Sequence, residues 1–197
     1  MKEFWNDRFG QSTYIYGKAP NVFFAEQLNK LQKGKILLPA EGEGRNAVYA
    51  AIKGWKVSAF DYSEAGIKKA HQLAADYDVE IDYQLVTVMD FQSNDSFDAI
   101  ALIFAHFTGK EREVLFKKLE DALASGGYLI MEVFSKNQLG RESGGPKDLE
   151  LLYSKDEIKS LFPRLDFVIL EETKTMLDEG SFHQGEAAVI RVVAQKR

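Results

Sequence analysis

The chain has no cysteine among its 197 residues, and this absence excludes several kinds of site. Without thiols there can be no disulfide, no thiolate nucleophile and no zinc site built on cysteine. A composition free of cysteine is what we expect of a protein kept in a reducing compartment.

Long apolar runs are missing too. No stretch approaches the roughly 20 consecutive apolar residues that a membrane-spanning helix needs. Residues 1–7, Met-Lys-Glu-Phe-Trp-Asn-Asp, lack the order of basic and then apolar residues that marks a signal peptide. We therefore expect a cytoplasmic protein with no membrane partner.

Runs of basic residues are also absent, and the formal net charge is −5. A nucleic acid would be repelled on average, so we expect no nucleic-acid partner. The histidines, His71, His106 and His183, are too far apart in sequence to have the spacing of a metal site, and we predict no bound metal. With 45% apolar residues, the length suits one domain covering residues 1–197.

The sequence does contain a regular alternation of strand and helix patterns. Five strands are predicted at residues 36–38, 56–61, 81–88, 97–104 and 128–134. Helices are predicted between them, at residues 45–53, after a capping Ser63, and at residues 110–123, with a Ser-Gly-Gly turn at 125–127. Strands joined by helical crossovers are typical of a parallel, doubly wound sheet.

The alternation ends after the fifth strand. Residues 137–153 are predicted as a loop, and a short helix is predicted to begin at a capping box, Ser154 to Glu157, and to stop before Pro163. Two further strands, 165–175 and 187–194, are joined by a short polar stretch at 178–185 and must be antiparallel. The predicted fold class is Rossmann-like α/β, a doubly wound seven-stranded mixed sheet with a C-terminal antiparallel hairpin. The dinucleotide-binding halves of a dehydrogenase do not end in such an antiparallel hairpin.

A glycine-rich turn, residues 39–47 with the sequence PAEGEGRNA, follows the first strand. Gly42 and Gly44 allow the backbone to turn tightly and let a ligand approach it closely. The helix that follows is expected to point free N–H groups at that ligand. Asp61, at the end of the second strand, can accept hydrogen bonds from both hydroxyls of a ribose. Together these features predict a ligand that contains ribose.

Charge favours one ribose-containing ligand over another. Gly42-x-Gly44-x-x-Ala47 also satisfies the dinucleotide fingerprint, in which a pyrophosphate lies on this turn. Glu41 and Glu43 would then repel the phosphates at a cost of about 3 kcal/mol each, taking 5 Å and an effective dielectric near 20. S-adenosylmethionine has no phosphate and carries a sulfonium and an ammonium cation, so an acidic turn suits it.

The same residues resemble a known family. The turn at 42–47, with Asp61-Tyr62-Ser63 after the second strand, is similar to the class I S-adenosylmethionine-dependent methyltransferases. The Arg45-Asn46 pair after the glycines resembles the sequence at this place in one branch of the family, which contains the tellurite-resistance and thiopurine methyltransferases. Weaker matches at Trp5, 16–20, 97–100 and 123–129 extend the resemblance over nearly the whole chain.

The chain departs from the family at the first strand. Leu38 and Ala40 stand where the family usually has an acid and a first glycine, and Glu41 fills a position often held by a small residue. The acidic contact to the methionine part of the cofactor is therefore missing from its usual place. We expect Glu41 to bind the cationic end of the ligand instead.

The resemblance implies a set of site residues. Asp90 would accept a hydrogen bond from the adenine amino group while Phe91 packs on the ring, although a turn aspartate and a core phenylalanine are the alternative. His106, which follows the fourth strand, and His183, in the hairpin connection, are candidate catalytic residues, and a histidine satisfied by a backbone carbonyl is the alternative. The predicted cofactor-binding residues are Tyr16, Glu41, Gly42, Gly44, Arg45, Asn46, Asp61, Tyr62, Asp90, Phe91 and Ala105.

The implied activity is methyl transfer from S-adenosylmethionine to a small-molecule acceptor such as a thiol, a selenol or a tellurite-like species. Two alternatives remain open: an NAD(P)-dependent oxidoreductase, and a non-catalytic methyltransferase-like protein that only binds the cofactor. The aromatic-rich segment 1–24 is expected either to close over the cofactor as a lid or to pack on the outer sheet.

Overall fold

Seven strands form one mixed sheet. They are β1 (Lys35–Pro39), β2 (Lys56–Asp61), β3 (Asp82–Leu85), β4 (Phe97–Ile103), β5 (Leu123–Phe134), β6 (Leu165–Asp178) and β7 (Gln184–Lys196). In the computed structural model, which describes residues 2–197, their order across the sheet is β3-β2-β1-β4-β5-β7-β6. The first five are parallel, and β7 runs antiparallel to both β5 and β6. The predicted fold class is confirmed.

Six α-helices accompany the sheet: α1 (Lys2–Phe9), α2 (Val22–Leu28), α3 (Arg45–Ile52), α4 (Glu64–Asp76), α5 (Gly109–Ala122) and α6 (Lys155–Leu161). Ser63 caps α4 as predicted, because its side chain accepts a hydrogen bond from the Gly66 N–H. Neither α1 nor α2 was predicted within the aromatic-rich segment 1–24, of which Met1 lies outside the described residues. No helix within residues 2–197 is long and apolar enough to cross a membrane.

Apolar side chains cover both faces of the sheet. In β1, Leu37 belongs to the core cluster on one face, while Ile36 and Leu38 belong to the cluster on the other face. Successive residues of a strand point to opposite faces, so a strand buried on both sides needs an unbroken apolar run. β4 follows the same rule, because Asp98 is its one exposed side chain.

The structure corrects three predicted boundaries. The Ser-Gly-Gly sequence at 125–127 lies inside β5, at a register shift in its pairing with β4, and does not end the preceding helix as a separate turn. The hairpin strands are longer than predicted, because β6 and β7 continue to pair as far as Asp178 and Gln184. β3 is shorter than the predicted 81–88, because only residues 82–85 pair with β2.

A buried arginine holds the segment that was predicted as the loop 137–153. Arg112 of α5 donates hydrogen bonds to the carbonyl oxygens of Glu150 and Leu152 and lies 3.7 Å from the centre of the Tyr153 ring. It also pairs with Oε1 of Glu157, and the carboxylate turned toward Arg112 does not complete the predicted capping box. Ser154 still caps α6 through the Glu157 N–H. Two short 3-10 turns, Lys136–Gln138 and Leu149–Leu151, interrupt the loop.

Candidate cofactor and acceptor site

A pocket of about 750 Å³, part of it open to solvent, lies at the carboxyl ends of β1, β2 and β4. The chain leaves β1 toward β2 on one side and β4 lies on the other, so this is the point where the strand order reverses. Ten of the predicted site residues line it: Tyr16, Glu41, Gly42, Arg45, Asn46, Asp61, Tyr62, Ala105, His106 and His183. The topology thus brings together residues from both ends of the chain.

Both glycines of the turn are required by their backbone conformation. Gly42 and Gly44 have φ angles of 62° and 85°, in the left-handed region. A Cβ at Gly42 would lie 2.9 Å from Phe9 of α1, which covers the turn. A Cβ at Gly44 would lie 2.5 Å from the Cβ of Ala70, so this glycine permits close packing of α3 on α4. Gly44 does not line the pocket, and its role here is in packing.

Two residues at the pocket adopt the left-handed conformation without being glycine. Ala40, after β1, and Phe104, after β4, both have a φ angle of 50°. Such conformations cost of the order of 1–3 kcal/mol and persist where surrounding packing enforces them. The resembling family usually has glycine at the position of Ala40. Because Ala40 also adopts the left-handed conformation, the turn keeps its shape despite the substitution. Both residues lie at the ends of neighbouring strands, where the pocket opens.

Glu41 occupies the N-terminus of α3. Its Oε1 atom accepts hydrogen bonds from the N–H groups of Asn46 (2.7 Å) and Ala47 (2.8 Å). The expectation that these N–H groups are free for a ligand is wrong, because the carboxylate already holds them. Burial raises the pKa of Glu41 to about 7, against the opposing effect of these hydrogen bonds and of the Arg45 charge.

Asp61 is also buried in the pocket wall. Its two carboxylate oxygens accept hydrogen bonds from the N–H groups of Gly42 (3.0 Å) and Ser63 (2.8 Å). Burial raises its pKa, and these hydrogen bonds lower it. A carboxylate oxygen can accept more than one hydrogen bond, so both atoms keep capacity for a ligand's hydroxyl groups.

The second acid of the turn is neutralised by the protein. Glu43 pairs with Lys69 of α4 at 2.7 Å and accepts a hydrogen bond from the Ile15 N–H at 2.8 Å. Its carboxylate therefore ties the N-terminal segment to the turn. Glu41 and Glu43 were both expected to repel a phosphate. Glu43 is paired with a lysine, whereas Glu41 has no cation in direct contact in the described part of the chain.

Two predicted adenine contacts lie outside the pocket lining. Asp90 is exposed and accepts a hydrogen bond from the Thr87 hydroxyl within its own turn. Phe91 is buried and stacks on Phe60 with ring centres 4.2 Å apart. This arrangement matches the alternative, a turn aspartate with a core phenylalanine.

His183 lies deep in the pocket wall within an aromatic cluster. Its ring centre is 4.4 Å from that of Tyr16, 4.7 Å from that of Phe104 and 5.3 Å from that of Phe134. Its Nδ1 atom is sealed from solvent and lacks a hydrogen bond, although Glu179 Oε2 is only 3.5 Å away. Burial lowers the pKa of His183, so the ring is neutral at pH 7.

His106 also packs on Phe134, with ring centres 6.0 Å apart. Its Nδ1 atom is also buried without a hydrogen bond, so it is not satisfied by a backbone carbonyl. Burial lowers the pKa of His106 to about 3. An imidazole with so low a pKa is a weak base, and His106 can orient a ligand better than it can take a proton.

Some residues in or behind the pocket wall had only a general signal in the sequence. Trp5 and Phe9 of α1 stack with ring centres 5.1 Å apart over the pocket, and the aromatic content of segment 1–24 had pointed to that segment as a whole. Glu179, which contacts Arg45 at 2.7 Å, had no signal beyond its charge. Within residues 2–197, no group of three or more His, Asp or Glu side chains is arranged to hold a metal ion.

Comparison with known proteins matches residues 36–127 to the family described as "Methyltransferase domain". No curated protein matches the chain. Among solved structures, TehB from Haemophilus influenzae is 15% identical with a TM-score of 0.76, over 100% of this chain and 67% of that one. The magnesium protoporphyrin IX methyltransferase ChlM from Synechocystis PCC 6803, with bound S-adenosylmethionine, is 14% identical with a TM-score of 0.69, over 100% and 95%.

A third structure concerns the conversion of a disulfide bond into a thioacetal group during echinomycin biosynthesis. It is 16% identical, with a TM-score of 0.79, over 100% of this chain and 92% of that one. At such identities the likeness shows that the folds are shared.

The contact between Gly44 and Ala70 gives a prediction for stability. Gly44→Ala places a Cβ in a left-handed backbone and against α4, and we expect it to lower the free energy of unfolding by about 2 kcal/mol or more. Urea denaturation measures this loss. Gly109→Ala is the matched control, since a Cβ there meets nothing within 4 Å. Equal stability of the two variants would contradict this account of the turn.

Proposed function

We propose that this chain, which has a methyltransferase domain at residues 36–127 and the fold of class I S-adenosylmethionine-dependent methyltransferases, transfers the methyl group of S-adenosylmethionine to a small-molecule acceptor. Residues 1–197 act as one domain, in which α1 and Tyr16 cover the pocket. The observation that carries the proposal is the position of Glu41 on the N-terminus of α3.

Glu41 favours a cationic ligand over a phosphate. In a dinucleotide site the pyrophosphate binds the N–H groups at this helix terminus. Here the N–H groups of Asn46 and Ala47 are already bonded to a carboxylate. A phosphate would have to displace that carboxylate or lie beside it, whereas a sulfonium or an ammonium group is attracted to it. This is the reason to prefer methyl transfer to an NAD(P)-dependent reaction.

Asp61 is the residue that we assign to the ribose. It ends β2 beside the turn, and its carboxylate is fixed by the N–H groups of Gly42 and Ser63. Two vicinal hydroxyls suit a carboxylate whose orientation is already set, because little freedom is lost on binding. Tyr62 and Ala105 also line the pocket, and we assign them with Asp61 to the nucleoside end.

The remaining pocket wall is aromatic and suits the acceptor. Trp5, Tyr16, Phe107 and the two histidines line it, and α1 lies across its mouth. Methyl transfer is an in-line displacement from a sulfur that leaves as a neutral thioether, so the protein needs mainly to align the two reactants and to exclude water. A thiol, a selenol or a tellurite-like species is the acceptor class that the family resemblance suggests.

The proposal is tested by titrating the purified protein with S-adenosylmethionine and with NADH in a calorimeter. We expect the first to bind and the second not to. Incubation with a methyl-labelled donor and a metabolite extract, with thiols and selenols added separately, then reports transfer. Binding of NADH in this pocket would overturn the proposal, and cofactor binding without any labelled product would favour the non-catalytic alternative.

Removal of the ribose contact should weaken the cofactor complex. We expect Asp61→Ala to raise the dissociation constant of S-adenosylmethionine about 10- to 100-fold, since hydrogen bonds to a charged group contribute about 1.5–3 kcal/mol. Calorimetric titration measures the constant. Asp82→Ala removes an exposed carboxylate from the neighbouring strand and should leave it unchanged. Unchanged affinity in Asp61→Ala would remove the ribose assignment.

Cofactor affinity should also depend on the charge of Glu41. Because the pKa of Glu41 is about 7, its carboxylate is ionised above that pH and attracts a cation, and it is protonated and neutral below. We expect the affinity for S-adenosylmethionine to rise about tenfold from pH 6 to pH 8, following the ionised fraction. In Glu41→Gln the affinity should be low and independent of pH.

Adenosine provides the matched ligand for this measurement, since it has the same nucleoside and no cation. Its affinity should not change over the same pH range. If the affinity for S-adenosylmethionine is flat in the wild-type protein, or if Glu41→Gln binds it equally well at pH 8, then Glu41 does not bind the cationic end of the cofactor.

A further inference from the structure

We propose that Glu179 is a positioning residue that holds His183 for proton transfer, so that His183 accepts the proton lost by the acceptor during methylation. The inference rests on the proposed function and makes it more specific. It assigns a base to the acceptor side of the pocket, and it implies that the acceptor's nucleophilic atom carries a proton.

Glu179 and His183 face each other across the connection between β6 and β7. The Glu179 N–H donates a hydrogen bond to the His183 carbonyl oxygen at 2.9 Å, which closes this connection. Glu179 Oε2 lies 3.5 Å from His183 Nδ1, a few tenths of an ångström beyond a good hydrogen bond. Both side chains are buried, and Nδ1 has no other partner in the described part of the chain. A small closure on ligand binding completes this bond.

The carboxylate of Glu179 is fixed from two other elements. Arg45 of α3 donates a hydrogen bond to its Oε2 at 2.7 Å, and Asn21, which caps α2, donates to its Oε1 at 2.9 Å. Burial raises the pKa of Glu179, but the contacts with His183 and Arg45 outweigh it and bring the pKa to about 2. Glu179 is therefore ionised throughout the useful pH range.

An ionised carboxylate determines which nitrogen of His183 carries the proton. It can only accept hydrogen bonds, so the Nδ1 atom that faces it must be the donor. The neutral ring then has its lone pair on Nε2, at the opposite edge. That edge borders the predicted loop 137–153, because a Cβ at Gly144 would lie 3.4 Å from Nε2. Nε2, unlike Nδ1, is not sealed from solvent, and His183 lines the pocket, so the free lone pair can meet an acceptor bound there.

The ring of His183 is held in place and kept neutral. Tyr16, Phe104 and Phe134 pack around it, which restricts its rotation. The charged or titratable groups that face it are Glu179 in its own connection, Arg45 on α3, Arg8 on α1, Tyr16 and, after β4, His106. Burial and the two arginines lower the pKa of His183, while Glu179 raises it.

His183 is better suited than His106 to take a proton. His106 has no carboxylate beside it, and burial brings its pKa to about 3. A protonated His183 would instead be stabilised by the negative charge of Glu179, in the manner of the carboxylate in a Ser-His-Asp triad. The two histidines line the same pocket, but of the two it is His183 that lies beside a carboxylate, and a base needs such a partner to stabilise its protonated form.

The step balances as a simple displacement. The acceptor atom forms a bond to the methyl carbon, and the bond between that carbon and sulfur breaks, leaving its electron pair on sulfur as a neutral thioether. The proton on the acceptor atom passes to Nε2 of His183 and from there to solvent. The acceptor is therefore a protic nucleophile, such as a thiol, a selenol, a hydroxyl or an amine.

Nitrogen NMR of the histidine side chains tests the pairing without any acceptor. The chain has only three histidines, so His71→Gln and His106→Gln suffice to assign the signals. We expect wild-type His183 to be the tautomer protonated on Nδ1. In Glu179→Gln its pKa should fall by about 1 or more, because an opposite charge is lost from its side. A tautomer protonated on Nε2, or an unchanged spectrum in Glu179→Gln, would overturn the assignment.

Asp178→Asn is the matched control, since it removes an exposed carboxylate from the neighbouring position. It should leave the His183 signals unchanged. A calorimetric titration of Glu179→Gln with S-adenosylmethionine should match the wild-type affinity. If the wild-type protein binds no S-adenosylmethionine, the proposed function fails, whatever the tautomer of His183.

The proton transfer itself is tested on the acceptor found in the metabolite screen. We expect Glu179→Gln and His183→Gln to lower kcat at least tenfold at pH 7, with little change in KM for the cofactor. In both variants kcat should recover as the pH is raised and the acceptor ionises without help. A uniform loss at every pH would mean that Glu179 and His183 are only structural, and it would overturn the proposal.

Discussion

The carboxylate of Glu41 lies on the N–H groups that begin α3, and this contact sets the character of the pocket. A helix N-terminus at the switch point of a doubly wound sheet is ordinarily a site for anions. Here the protein supplies the anion itself, from the turn that precedes the helix. The same backbone that would hold a phosphate therefore holds a negative charge against which a cation can bind.

The buried acids of the site fall into two groups with different partners. Glu41 and Asp61 are held by backbone N–H groups, which carry no net charge, so neither carboxylate is neutralised by these contacts. Glu43 and Glu179 each contact a cation, Lys69 and Arg45. The first group faces the proposed cofactor end of the pocket, and the second fastens the N-terminal segment and the C-terminal hairpin to α3 and α4. Glu179 belongs to the second group and also lies 3.5 Å from His183, so it links the hairpin to the proposed acceptor side.

The fold and the position of the glycine turn at the pocket could be predicted because they depend on local patterns. β2 was predicted with its observed bounds, the methyltransferase resemblance is confirmed, and the glycine turn and Asp61 lie at the pocket as expected. The hydrogen bonds from the α3 N–H groups to Glu41 were not predicted, because a sequence pattern does not show the direction of a side chain. Asn21 was missed because its partner Glu132 is 111 residues away. Contacts of that length arise only from the assembled fold.

The same difference explains why the acceptor is harder to identify than the cofactor. The proposed cofactor contacts come from two neighbouring turns of the chain, after β1 and after β2, whose shape is constrained by the sheet. The acceptor side is built from α1, Tyr16 and the hairpin connection with His183, which meet only through tertiary packing. The outer elements still touch the glycine turn, because Phe9 covers Gly42 and the Ile15 N–H donates a hydrogen bond to Glu43. In the proposal above, Glu179 belongs to this acceptor side and orients His183, so that a scaffold that mainly aligns reactants gains a base for one class of acceptor.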